Sequence, residues 1–597
     1  MCGINGFNYA DKELLHRMEK FTEKRGPDAN GYYIEEGISL GHNRLSIIDI
    51  SENANQPLKF KDYIITFNGE IYNYKYLREI ILSKRIKLKT FSDTEVILAL
   101  FSIYGIKSFK MLSGIFAIAI WNKKKGKLYL IRDHLGVKPL YYIYNKDIKR
   151  IFFSSSIKSL MEVTKEKKLS STALFFYQNF GRNDAEETFI SNIQKLNPAE
   201  LIICGKKFFI KKKNFLKFSY SKKYLNNQEI KKKVEDIISK QFISDVPIAL
   251  SLSGGIDSNV VYHCLRKNYH KNLSVYSFYF KDYDKFNEDY KVAEENVKKY
   301  RNNFVPVVIG YKDFIEHTEK TIDILEEPLR NEASVLNYVM SKNVHEKVLI
   351  TGDGGDEIFT GYDQYRSIYY LTLLNKFNFL KKVLKKDFFH NKQLKRLFSK
   401  DSRDLFLSFS ERNIFKTPEK YFKNFNNIST NDLVLNHSKN QIFNYKLNEV
   451  SKIELDTRVQ NDYLLRNDKI FMNEGIELRV PFLDQEMIES FLNLSEHRKF
   501  GYLGKSKYLL KKLFINNINK TTKKKWGLQS PLAKWMKNEL QPYIKEILSD
   551  TYYSGGKNYL NFEEIDKLIR LHKEKYFNHT LIWSLLNFQI YIRRFNL

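Results

Sequence analysis

Two places in the chain put reactive side chains where they could do chemistry. The first is the opening MCGI, where Cys2 follows the first methionine. Loss of Met1 would leave a thiol and an α-amine on one residue. That amine titrates at about 7.7–8, so it can serve as the base for its own sulfur. The second is VPIALSLSGGIDSN (246–259). An apolar run of strand length enters Ser253-Gly254-Gly255, and a helical pattern follows through Ile256-Asp257-Ser258. Adjacent glycines admit a ligand close to the backbone. Free amides at a helix N-terminus and nearby hydroxyls suit an anion. Pyrophosphate is the natural ligand; no G-K-[ST] follows, so this is not a Walker A loop. A further stretch, KVLITGDGGDEIFTGY (347–362), sets Asp353, Asp356 and Glu357 after another apolar run. If the two runs are neighbouring strands, these carboxylates meet at one sheet mouth. Carboxylates that face a polyphosphate act through Mg²⁺.

These residues need rigid elements behind them. Residues 1–205 carry short strand-like runs, YIITFNGEIYN, GIFAIAIWN, KLYLIRD and LYYIY, between turn signals. Helical patterns interrupt them near 11–24, 73–83 and 94–104. The expectation is an α+β domain with antiparallel sheets. Residues 206–226 include a basic stretch and read as a connector. From 227 to 597 the style changes. VPIALSL, LSVYSFYF, NFVPVVIG and KVLITG are separated by helical segments near 257–267, 287–301 and 312–325, which predicts an α/β parallel sheet. After residue 365 the pattern is mainly helical.

Composition narrows the class. The 597 residues suggest two or more domains. No apolar run is long enough for a membrane helix, and no secretory signal is visible. The three cysteines show no pairing pattern and no CxxC, which fits a reducing cytoplasm. The net charge of +30 invites a nucleic-acid partner. Its lysines are spread throughout, as in KVEDIISK and KSKYLLKKLF, so neither nucleic acid nor membrane is expected.

The motifs together resemble a known family. MCGI, RGPD (25–28), GHNRLSIID (41–49), FNGEIYN (67–73) and SDTE (92–95) are similar to the glutaminase domain of class II glutamine amidotransferases, an N-terminal-nucleophile hydrolase. SGGIDS is similar to the signature of the PP-loop ATP pyrophosphatases. With TGDGGDEIFTGY and ELRVPFLD (477–484) it resembles the synthetase domain of glutamine-dependent asparagine synthetases. The resemblance implies that Cys2 attacks glutamine and that Asn68 and Gly69 form the oxyanion hole. It places Arg44 on the substrate α-carboxylate, Leu45, Ser46, Ile47 and Ile48 along the pocket, and Glu70 and Asp93 on the α-ammonium. It implies an internal channel for ammonia to a second site that makes an acyl-adenylate from ATP. There Leu252, Ser253, Gly254, Gly255, Asp257, Ser258, Phe280, Thr351 and Gly352 bind ATP. Asp257 and Asp356 hold Mg²⁺, Asp353, Glu357 and Arg479 lie toward acceptor and pyrophosphate, and Lys525 stabilises charge. A homodimer is a further expectation.

The chain departs from the family after EEP (326–328). Leu329-Arg330-Asn331-Glu332-Ala333 stands where F-A-D-P-S is usual. The acceptor read first is aspartate; a uronic-acid carboxylate of a surface sugar is the alternative. The missing charge at Asn331 predicts weak aspartate affinity, tightened by Asn331→Asp. Intact Cys2, Asp257 and Asp356 speak against an inactive scaffold.

Overall fold

The computed structural model describes residues 2–164, 167–205, 210–221, 224–269, 271–375, 418–423, 446–522, 530–575 and 579–597. Among the described residues the first half carries twelve strands, the short apolar runs among them: β1 (Gly3–Phe7), β2 (Ala29–Glu35), β3 (Ile38–Arg44), β4 (Leu58–Phe60), β5 (Tyr63–Ile71), β6 (Gly114–Asn122), β7 (Lys127–Arg132), β8 (Tyr141–Asn145), β9 (Arg150–Ser154), β10 (Gln194–Lys195), β11 (Glu200–Cys204) and β12 (Ile210–Asn214). They form two antiparallel sheets, ordered β10-β8-β9-β1-β3-β2 and β12-β11-β7-β6-β5-β4. Ile4, Leu40 and Phe153 of one sheet pack on Ile64, Ala117 and Leu130 of the other. Helix Lys12–Glu19 covers one outer face with Leu14, Leu15 and Met18; Tyr74–Ser83 and Asp93–Tyr104 cover the other. Both faces of each sheet are covered, which is why β1, β3 and β6 are buried at every position. The result is a helix–sheet–sheet–helix sandwich, the N-terminal-nucleophile hydrolase fold. β12 pairs with β11, so this sheet continues past residue 205 to Asn214.

The second half carries a five-stranded parallel sheet. Its strands are β13 (Ile248–Ser251), β14 (Ser274–Phe280), β15 (Asn303–Ile309), β16 (Val348–Ile350) and β17 (Glu477–Arg479), ordered β15-β14-β13-β16-β17. The chain runs outward from β13 through β14 and β15, then returns to place β16 on the other side. β13 and β16 therefore flank the point where strand order reverses, the place where such sheets bind ligands. β17 was not legible as a strand. Glu477 and Arg479 are charged yet fully buried, and they satisfy each other at 2.5 Å. Beyond the sheet the described chain is mainly helical. It includes a π-helical stretch, Leu455–Leu464, joined to helix Leu465–Met472. Among the described residues no helix is long and apolar enough to cross a membrane.

Buried polar contacts join the halves. Glu326 accepts from the amides of Ile157 and Lys158 at 2.9 and 3.2 Å, and Lys469 binds it at 2.8 Å. Glu327 accepts from Asn183 Nδ2 at 3.1 Å. The two glutamates of the EEP segment thus fasten the second half to the first.

Candidate active site

Cys2 is buried immediately before β1. Its backbone nitrogen donates to Asn68 Oδ1 at 3.0 Å. This contact fixes the Asn68 amide, on β5, beside the residue whose amine would become the base. Asn68 Nδ2 is buried and has no hydrogen-bond partner among the described residues. A buried donor left without a partner costs about 1–3 kcal/mol. An oxyanion forming beside Cys2 would supply the missing acceptor. Gly69 is required sterically. Its φ is +156°, and a Cβ there would lie 2.1 Å from the Ile115 carbonyl oxygen.

One pocket collects Cys2, Arg44, Leu45, Ile47, Ile48, Gly69, Glu70 and Asp93. Ser46 is not on its wall; its amide donates to Asp28 at 2.7 Å. Arg44 donates from Nη1 to Ser51 O and Asn55 Oδ1 at 2.8 and 2.7 Å, and from Nη2 to Asp49 O. These contacts use three of its five N–H donors; the Nε and second Nη2 donors remain, among the described residues, for a bidentate grip on a carboxylate. Asp93 opens its helix and accepts from Ile71 N at 3.0 Å. Burial pushes its carboxyl up to about 7, with Glu477 adding to the shift. Glu70 lies well above the ordinary range, through burial first and Asp93 second, with Arg479 opposing. Two buried carboxyls raised in this way suit an incoming ammonium, which would favour their ionised forms. Gln56 and Thr94 also line the pocket and were missed. Gln56 Oε1 accepts from Phe67 N at 2.7 Å and its Nε2 donates to Thr94 at 3.2 Å. A glutamine before a proline reads only as a turn.

The second cluster lies at the carboxyl ends of β13 and β16. Residues Ser253–Gly255 turn into helix Ile256–Asn268. Ser258 Oγ accepts from Ser253 N at 3.2 Å, and Asn259 Nδ2 donates to the carbonyls of Ser253 and Gly255 at 3.0 and 2.8 Å. The loop is thereby shaped by its own helix. Leu252 and Phe280 are buried beside it, and Phe280 meets Trp535 edge-on. The loop after β16 comes very close. A Cβ on Gly352 would lie 2.6 Å from Ser258 N, and one on Gly355 2.6 Å from Asp257 Cγ. Thr351 N bonds Arg479 O at 3.0 Å.

Asp257 and Asp356 do meet, and a lysine lies between them. Lys507 Nζ binds Asp257 Oδ2 and stands 2.6 Å from Asp356 Oδ1. Lys507 has φ +53° and caps helix Tyr508–Phe514, an uncommon conformation of the kind found at functional sites. Burial lowers its pKa, and Asp257 opposes that shift. Two carboxylate oxygens directed at one cation fit Mg²⁺ in donor type; Mg²⁺ takes one or two carboxylates and fills its shell with phosphate and water. Among the described residues no group of three or more His, Cys, Asp or Glu forms a metal cage. Lys525 lies outside the described residues; Thr522 N bonds the Gly254 carbonyl at 2.9 Å.

Asp353, Glu357 and Arg479 separate. Asp353 accepts from Asn467 at 2.9 Å. Glu357 is buried and pushed up to about 7 by burial; Arg458, 3.3 Å away, opposes this. Both face the π-helical stretch and the helix that follows it. Arg479 does not join them. It is fully buried at the boundary between the halves, donating to Gln241 O and Ile243 O of the second half at 2.6 Å and to Glu70 of the first at 3.3 Å. Its placement is a contact between the glutamine pocket and β17, rather than an approach to pyrophosphate.

A thiol pocket on an N-terminal-nucleophile sandwich, joined to a nucleotide-type loop at a sheet's reversal point, defines a glutamine-dependent amidotransferase that uses ATP. Residues 1–215 match the glutamine amidotransferase domain, and residues 229–593 match the asparagine synthase family. The chain is 30% identical to asparagine synthetase [glutamine-hydrolyzing] 1 of Bacillus subtilis, over 99% of this chain and 96% of that one. It is 31% identical to a putative asparagine synthetase [glutamine-hydrolyzing] 2 of Methanocaldococcus jannaschii, over 63% and 78% of the two chains. Asparagine synthetase [glutamine-hydrolyzing] 3 of Bacillus subtilis is 25% identical over 85% and 84%. The chain belongs to the glutamine-hydrolysing asparagine synthetase family.

Proposed function

We propose that this enzyme converts L-aspartate, L-glutamine, ATP and water to L-asparagine, L-glutamate, AMP and pyrophosphate, in the cytoplasm and as a homodimer. The observation that carries the synthetase half is the convergence of Asp257 and Asp356 beside the Ser253–Ser258 loop, at the carboxyl ends of the neighbouring strands β13 and β16. Cys2, freed of Met1, attacks the glutamine amide, and its own amine takes the thiol proton. Asn68 Nδ2 and the Gly69 amide receive the oxyanion; one such donor is worth about 2.7–4 kcal/mol. Glu70 and Asp93 bind the α-ammonium, and Arg44 takes the α-carboxylate. Collapse of the adduct expels ammonia, with the proton held by the amine, and leaves a glutamyl thioester on Cys2 that water hydrolyses to glutamate. The ammonia passes inside the protein, where bulk water cannot protonate and dilute it.

At the second site the Ser253–Ser258 loop holds the polyphosphate, while Leu252, Phe280, Thr351 and Gly352 hold adenine and ribose. Mg²⁺ on Asp257 and Asp356 would offset phosphate charge during the displacement. The acceptor carboxylate attacks the α-phosphate, pyrophosphate leaves, and ammonia displaces AMP from the acyl-adenylate. Lys525 stabilises the charge of these steps, and Asp353 and Glu357 face the acceptor. The test is ATP–pyrophosphate exchange with aspartate, followed by transfer of ¹⁵N from amide-labelled glutamine into asparagine against unlabelled ammonium. Expected are aspartate-dependent exchange and ¹⁵N retention. ADP as the nucleotide product would reject the mechanism.

A further inference from the structure

Four arginines gather around Asn331 and its partner Asp462. Three are met by carboxylates. Arg182 grips Asp184 at two points, both 2.8 Å. Arg458 stands 3.3 Å from Glu357 and from Glu454. Arg466 pairs with Asp462. The fourth, Arg330, is half-buried, and its guanidinium makes no ion pair or hydrogen bond among the described residues. Its stem is nevertheless fixed. Its amide donates to Gly181 O at 3.0 Å, and a Cβ on Gly181 would lie 2.5 Å from Arg330 Cδ. Among the described residues, only the head of the side chain is uncommitted.

That head stands near the second site. Its charged neighbours are Arg182, Asp462, Arg458 and Glu332. Arg458 touches Glu357, and Glu357 follows Asp356, which shares Lys507 with Asp257. Burial, and then Arg182, pull the guanidinium down to about 10; Asp462 opposes, and Arg458 adds to the fall. Desolvating a cation next to other cations is unfavourable unless an anion completes the arrangement. Guanidinium groups match carboxylate and phosphate in shape as well as charge.

We propose that Arg330 is a specificity-determining residue that binds a second anionic group of the acceptor, a carboxylate or phosphate other than the carboxyl that is adenylated. The proposal rests on the acyl-adenylate reading above and names the substrate class: acids with two anionic groups. In aspartate the α-carboxylate fills this role.

The test is ATP–pyrophosphate exchange by the full-length enzyme on matched pairs: L-aspartate against β-alanine, and glucuronate 1-phosphate against glucuronate. The member with the second anion should show a KM lower by about tenfold or more. The pair that discriminates identifies the group as carboxylate or phosphate. Arg330→Gln should raise the KM of that member by about tenfold or more, with little change in kcat, and leave the monoacid's KM in place. Arg330→Lys should keep part of the discrimination. Melting temperature checks that each variant is folded, and the wild-type comparison needs no variant. Equal KM values within both pairs, or an equal effect of Arg330→Gln on both members, would overturn the role of Arg330 alone. Exchange with no acid, while glutamine is still hydrolysed, would overturn the acyl-adenylate reading and this inference with it.

Discussion

Arg25 Nη2 and Asp468 Oδ2 meet at 2.7 Å across the boundary between the two halves, although 443 positions separate them in the chain. Arg25 Nε donates to the Cys2 carbonyl at 3.2 Å. Lys138 Nζ takes the other Asp468 oxygen at 2.9 Å. The preceding residue, Asn467, holds Asp353. Two consecutive residues of one helix thus tie the carboxylate loop of the second site to the backbone of the nucleophile.

Asp468→Ala should destabilise the fold by about 3–5 kcal/mol, because it strands two buried cations. Burial raises the Asp468 carboxyl, but Arg25 and then Lys138 outweigh it and hold it below the ordinary range. A depressed value means that the stabilisation is full above about 3.9 and is lost as pH falls through the folded value. Calorimetry between pH 3 and 7 should show the difference between wild type and variant shrinking toward the acid end. A difference unchanged over that range would show the pair to be inert. The variant should also hydrolyse more than one glutamine per AMP formed.

Cys2→Ala should abolish glutamine hydrolysis and leave synthesis from ammonium intact, since the second site lies on a different sheet. Asn68→Ala should lower kcat for glutamine by about 10²–10³-fold, the effect of losing one oxyanion donor. Steady-state glutaminase assays decide both. Intact-mass measurement should find Met1 absent from active protein.

Glutamine use should rise with pH. Asp93 is raised to about 7, burial being the main cause. Its neutral form dominates below that value and cannot pair with the substrate ammonium. The kcat/KM for glutamine should therefore climb through pH 7, below a second limb set by the Cys2 amine at about 7.7–8, and Asp93→Asn should remove the lower limb while lowering the plateau. A pH profile of kcat/KM reports the free enzyme; a wild-type profile flat from pH 6 to 8 would contradict the assignment.

Much of the architecture was legible because local and global signals agreed. The apolar runs at 246–252 and 347–350 are strands, and the glycines after them mark the close approach that brings Asp257 to Asp356. Lys507 was hidden for the opposite reason. It sits in KSKYLLKKLF, where neighbouring lysines make it look like solvated surface. Only the turn at φ +53° aims it inward. β17 was hidden because Glu477 and Arg479 look like surface residues until the first domain covers them. The split of the acidic segment was equally invisible. Asp356 turns to Lys507 and Glu357 to Arg458, although they are adjacent in sequence.

Lys507→Met should reduce AMP formation by about 10²-fold or more, the scale of a missing charge-stabilising donor, and spare glutaminase activity. Without its ammonium, Asp257 and Asp356 face each other, so the variant should bind Mg²⁺ more tightly. Titration of Mg²⁺ by calorimetry should show that gain. Weaker Mg²⁺ binding than wild type would mean that the two carboxylates do not form the metal position. Asp257→Asn and Asp356→Asn should each stop ATP cleavage, as should chelation of Mg²⁺.

Asn331→Asp should loosen the acceptor site rather than tighten it. Its Nδ2 donates to Asp462 Oδ2 at 3.2 Å, and its Oδ1 accepts from Ala333 N at 3.1 Å. Asn331 is therefore the partner of an acid, not a gap left by a missing one. Asn331→Asp would put a second carboxylate against Asp462, and two carboxylates at that distance resist ionising together. The donor to Asp462 would disappear as well. The variant should be less stable than wild type by about 1–3 kcal/mol near pH 8. The sign follows from linkage: the shared proton raises the folded-state pKa of the pair above about 3.9, so the destabilisation grows as pH rises through the raised value and fades below it. Aspartate KM should rise, because the carboxylate neutralises the field that Arg330 offers to the acceptor. Denaturant unfolding at pH 5 and pH 8, with aspartate KM measured alongside, decides it: a variant equally stable at both values that binds aspartate more tightly would restore the expectation of a tightened site.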